Sequence, residues 1–143
     1  MSTITIKTLA QRYFEHLDQQ DLAGLRTMFA PDTQFYGLAP QVLDGEGVIQ
    51  GMSMFYTSFP DARMPVHEII VEGNSAAIRH AFIGTHQADF QGIPATGKPV
   101  TVPATVTLHF DNAGQVVAGW LNADLLGMMQ QLGVIPGAEP EGL

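Results

Sequence analysis

The chain has no cysteine, so a disulfide framework, a thiolate nucleophile and a zinc–thiolate site are all excluded. Positive charge is scarce as well: six Lys and Arg stand against fourteen Asp and Glu, a formal charge of -8, and the basic residues never cluster. Phosphate backbones and anionic lipids are therefore poor partners, and neither nucleic acid nor a membrane is expected as one. Nowhere do ~18 apolar residues run together, and MSTITIKTLAQRYFEHL at the start lacks a basic region followed by an apolar core. A cytoplasmic, soluble protein is the expectation. The five histidines, His16, His67, His80, His86 and His109, form no HxxxH or HxH pair, so no metal site is expected.

What is present is apolar. Hydrophobic residues make up 45% of the 143, and charged ones only 14% against the ~25% of an ordinary soluble domain. So large an apolar share suits a deep pocket or a subunit interface. The length fits one domain, read as residues 1–136, followed by a proline- and glycine-rich acidic tail, 137–143, expected to fray.

Three helices are expected first. Leu9, Tyr13, Phe14 and Leu17 form an apolar stripe within residues 5–20. Asp21 is placed to cap a short helix over 22–29, and Val48, Met52, Phe55 and Phe59 recur at helical spacing before Pro60 stops the third. A short β-prone run, 33–36, lies between. From Met64 onward four β-rich runs follow, 66–71, 76–86, 100–110 and 115–123, separated by turns such as Glu72-Gly73-Asn74-Ser75 and Asp111-Asn112-Ala113-Gly114. This order predicts an α+β domain in which helices cover one face of a curved antiparallel sheet.

The stretch GWLNADLLGMMQQLG, 119–133, carries the first candidate chemistry. Trp120, Asn122 and Asp124 fall on one face of an extended strand, and DLLGMMQQL then reads as a short apolar helix. A carboxylate among large apolar groups resists ionising, which suits an acid/base near neutral pH. The plain alternative for Asp124 is a helix N-cap, worth roughly 1 kcal/mol. On the same face Trp120 is a candidate apolar wall and Asn122 a candidate hydrogen-bond donor to an enolate, or else both are ordinary core.

His80 shares a strand face with Phe82, Gly84 and His86. If Phe82 faces a pocket, His80 is a second acid/base candidate, able to bond a substrate carbonyl or orient Asp124; otherwise it is a satisfied interior histidine. Tyr13, Tyr36, Phe82 and Phe55 are candidate ligand contacts, with core packing as the alternative. His109, opposite in parity to Val106, Leu108 and Phe110, is expected on the outer face, and His86 is expected to bond turn backbone.

The phrases FAPD (29–32), SFPDAR (58–63), GTHQADFQGIPATGKPV (84–100) and W-x3-DLLGMMQQLGVIP (120–136) resemble the SnoaL-like polyketide cyclases of the nuclear transport factor 2-like superfamily. The resemblance implies a cystatin-like cone: a strongly bent sheet around a deep pocket partly closed by N-terminal helices, often paired into homodimers or homotetramers through the outer sheet face. It also implies intramolecular aldol ring closure of a polyketide-like, hydrophobic molecule without a cofactor, with Asp124 of W-x3-D as general acid/base. The chain departs from the common pattern at Phe35-Tyr36, where many relatives have Asn-His, at His80, where they have Trp, and near His109, where they have Arg. A non-catalytic binding or oligomerisation module, and an isomerase, dehydratase or epoxide hydrolase on the same fold, are the alternatives.

Overall fold

A computed structural model describes residues 2–137; the expected tail beyond Gly137 lies outside the described residues. Helix α1, Thr3–Asp18, begins where the Ser2 hydroxyl accepts from the Thr5 N–H, and it buries Ile6, Ala10, Tyr13, Phe14 and Leu17. Gln20 takes a left-handed turn at φ 56, and the Asp21 carboxylate caps α2, Leu22–Arg26. This second helix ends before the expected residue 29, because Phe29 opens strand β1, Phe29–Tyr36. Pro31 is tolerated there since the register breaks between Phe29 and Gln34, where its missing N–H removes no ladder bond. Helix α3, Gly45–Ser58, is capped by Asp44.

The four β-rich runs become β2 (Val66–Glu72), β3 (Ser75–Thr85), β4 (Pro99–Phe110) and β5 (Val116–Ala123), followed by α4 (Leu125–Leu132). They pair antiparallel in chain order, as the turns predict. One edge differs from an all-antiparallel sheet. β1 runs parallel to β5, giving the order β1-β5-β4-β3-β2 in a curved, open sheet. No helix among the described residues is long and apolar enough to cross a membrane.

Strict alternation on β4 divides the sheet's two faces: Val100, Val102, Ala104, Val106, Leu108 and Phe110 are buried, whereas Thr101, Pro103 and Thr105 are exposed. The buried face meets α1 and α3. Four hydrogen bonds fix the C-terminal end of α1 and the turn after it to the chain after α3. Asp18 accepts from the Arg63 guanidinium at 3.0 and 2.7 Å and from the Met64 N–H at 2.8 Å, and Gln20 reaches the Pro60 carbonyl at 2.9 Å. The Arg63 hydrogen bonds hold the Asp18 carboxyl below its ordinary pKa. The Tyr56 hydroxyl donates to the Leu17 carbonyl at 2.7 Å, tying α3 to α1. At the other end, the Gln131 carboxamide pairs with both backbone groups of Thr101, at 2.8 and 2.9 Å, and clamps α4 over β4 where β5 has ended.

Gly37, at φ 95, leads the chain out of β1, and a Cβ there would collide with the Leu121 carbonyl oxygen. Gly37→Ala is therefore expected to cost about 2 kcal/mol or more, since both conformation and space forbid it. Urea midpoints of the two proteins measure this.

Candidate functional site

Between the helices and the buried sheet face lies a cavity of about 60 Å³. From α1 it is lined by Tyr13, Phe14 and Leu17, and from α3 by Val48 and Met52. The sheet contributes Phe35, His80, Val106 and Leu121. His80 is the polar centre. It projects inward from β3 opposite Ala104, is 6% exposed, and lies with its ring 4.5 Å from that of Phe14. Neither Nδ1 nor Nε2 has a hydrogen-bond partner. A buried imidazole without a partner costs free energy, which a bound water, a ligand or a chemical role would offset; Nε2 of the buried His86 is likewise without one.

Burial pushes the His80 pKa down from 6.5 to about 4, leaving the ring neutral at pH 7, with one nitrogen a donor and the other an acceptor. Burial also raises the Tyr13 phenol, which stays protonated. The cavity thus combines a neutral imidazole and a phenol with apolar walls, a set suited to taking, giving and bonding protons on carbonyl compounds. Among the described residues no three His, Cys, Asp or Glu side chains are grouped to hold a metal ion.

The structure separates the expected constellation. Asp124 is the N-cap of α4: its carboxylate is exposed and accepts from the Gly127 N–H at 2.9 Å, while its own N–H donates to Pro103. A Cβ on Gly127 would overlap that carboxylate, so D-L-L-G is a capping sequence in its own right. Asp124 and His80 are therefore not bonded, and β4 lies between their strands. Trp120 and Asn122 do share a face, but it is the outer one. Trp120 is 37% exposed, stacked on Tyr36 at 5.6 Å and against His109 at 4.7 Å. The apolar wall expected of Trp120 is supplied instead by Leu121 and Phe35, the latter riding over Gly119, where a Cβ would stand 2.5 Å from its ring.

Of the expected ligand contacts, Tyr13 lines the cavity and Tyr36 lies outside with Trp120. Phe55 and Phe82 meet edge to face at 4.6 Å and pack with Phe59 and Phe90 in an aromatic cluster that does not line the cavity. His86, fully buried, accepts the Thr96 N–H at 3.2 Å through Nδ1, the turn-bonding role expected of it. Phe14, read in the sequence as part of the apolar stripe of the first helix, and Met64, for which the sequence suggested no role, also line the cavity. The misplaced tryptophan was legible. In the hairpin from β4 into β5, Thr107 pairs with Trp120 and Val106 with Leu121, so the face that buries Val106 must also bury Leu121.

The model of the SnoaL-like polyketide cyclase family matches residues 7–132. The chain belongs to this family. No curated protein matches the chain. Among solved structures, AclR of Streptomyces galilaeus, described as a candidate hydroxylase, is 25% identical with a TM-score of 0.89, over 99% of this chain and 88% of that one. IdmH of Streptomyces antibioticus, described as a candidate polyketide cyclase, is 26% identical with a TM-score of 0.80, over 90% and 98%. A SnoaL-like protein from Jannaschia, at 22% identity and a TM-score of 0.83 over 95% and 98%, shares the fold. The nuclear transport factor 2-like fold expected of the family is the one observed, and membership supports a cyclase-like role on it.

The His80 pKa sets a pH dependence. The unfolded chain binds a proton at His80 below pH 6.5 and the folded protein only below about 4, so stability falls as pH drops across that window, by up to on the order of 3 kcal/mol. The carboxyls held low, Asp18, Asp21 and Asp61, act below it. Urea midpoints between pH 4 and 7 should show this slope in the wild type and a much flatter line in His80→Phe.

Proposed function

We propose that the chain is a cofactor-independent cyclase that closes a ring by intramolecular aldol condensation, with His80 as the proton-transferring group. The observation that carries this reading is the buried imidazole with both nitrogens unpartnered at the wall of the cavity. The free imidazole nitrogen takes a proton from a carbon flanked by two carbonyls, giving an enolate and an imidazolium. The enolate carbon attacks a second carbonyl of the same molecule, one C–C bond forms, and the imidazolium returns its proton to the new alkoxide. Burial disfavours the imidazolium in the empty protein, but the enolate beside it supplies the opposite charge within a few ångströms. In this reading the Tyr13 phenol, also on the cavity wall, donates to the enolate oxygen. Asp124, the general acid/base that the family resemblance implies, keeps a capping role in this reading.

A neutral aromatic β-diketone bearing a pendant ketone serves as test substrate, with ring closure followed by absorbance. His80→Gln is expected to lower kcat at least 100-fold while the circular dichroism spectrum is kept, and Asp124→Asn to stay within about threefold of the wild type. The opposite pattern would return the chemistry to Asp124. Saturable binding of the diketone without ring closure by the wild type would favour the binding-module alternative.

A further inference from the structure

The cavity beside His80 is far smaller than the ~300–1,000 Å³ of sites that enclose a small ligand, so a substrate needs a wall to give way. Outside it runs an open groove of about 650 Å³, between α1 and the chain at residues 63–66 with Ile83. Phe14 and Met64 line both spaces. Phe14 is also the ring packed on His80, so the wall between groove and imidazole is one side chain thick. The backbone on either side is pinned, since Asp18 holds both Arg63 and the Met64 N–H, and Gln20 holds Pro60. Rotation of the Phe14 and Met64 side chains, rather than a swing of α1, is then the way open, and an unbranched methionine turns at low cost.

The groove's charges restrict what passes. Glu15 and Asp18 contribute two carboxylates against the single guanidinium of Arg63, which Asp18 already engages at 2.7 Å. Among the described residues that line the groove no cation is left over for a carboxylate or phosphate, whereas Gln11 and Gln19 offer neutral donors and acceptors.

We propose that this groove is the vestibule of the His80 cavity, that Phe14 and Met64 are its gate, and that the molecule admitted is neutral, with an apolar head for the cavity and a tail of hydroxyl, carbonyl or amide groups for the groove. The inference rests on His80 being the reacting group. The opposite wall, where Leu38 and Leu121 are half-exposed, is the competing entrance.

Carbethoxylation by diethyl pyrocarbonate at pH 7, read histidine by histidine by peptide mass spectrometry, tests the route without needing turnover. The outer-face His109 serves as reference and the buried His86 as a monitor of general loosening. Phe14→Ala and Met64→Ala should raise the His80 rate relative to His109 at least tenfold with His86 unchanged, and Leu38→Ala should not. If an alanine variant speeds His86 in step, Val66→Trp at the groove's exposed rim decides, because narrowing the groove should slow His80 several-fold. Acceleration by Leu38→Ala alone, or no effect of Val66→Trp, overturns the route. At equal concentration 2-acetonaphthone should protect His80 and 2-naphthoate should not; protection by the anion overturns the charge assignment. Failure of the acid/base reading shows separately, as undiminished turnover in His80→Gln.

Discussion

Everything at this site depends on the two-residue period of the sheet, held in register from β3 across β4 to β5. His80 faces Ala104, Ala104 faces Ala123 and Val106 faces Leu121, so one face collects His80, Val106 and Leu121. The same register sends Trp120, Asn122 and Thr107 the other way. A slip of one residue would bury the tryptophan and expose the histidine, and the row of Val, Leu and Phe side chains along β4 is what forbids the slip.

The cost of the arrangement falls on His80. Leaving a buried polar group unsatisfied costs roughly 1–3 kcal/mol, and the surrounding structure has to supply it. It does so with apolar closure from α1, whose Tyr13, Phe14 and Leu17 cover the cavity, and with bonds that fix the helix from outside: Asp18 to Arg63 and Met64, and Tyr56 to the Leu17 carbonyl. These bonds use backbone groups and the side chains of Asp18, Arg63 and Tyr56, so they stiffen the frame without touching the imidazole. The wall itself is left to single side chains.

Asp124 illustrates how one residue carries a local and a family signal at once. The local signal, Asp followed three positions later by Gly before an apolar run, describes an N-cap, and the carboxylate accepts the Gly127 N–H as that signal says. The family resemblance implies an acid/base role for the same carboxylate. The geometry gives the cap, with the side chain exposed, while the inward-facing polar position belongs to His80 on β3, two strands away.

The elements themselves were legible because each is written in local terms. Ser2, Asp21, Asp44 and Asp124 cap the four helices, glycines with positive φ end the turns at 73 and 114, and period-two alternation marks the strands. Family membership was legible from phrases spread along the chain. The parallel pairing of β1 with β5, the packing of Phe55 and Phe82 away from the cavity and the sharing of Phe14 and Met64 between two spaces were decided only by tertiary structure. Periodicity tells which side chains share a face, but not which face is inside. That choice is made by burial across strands and helices far apart in the chain.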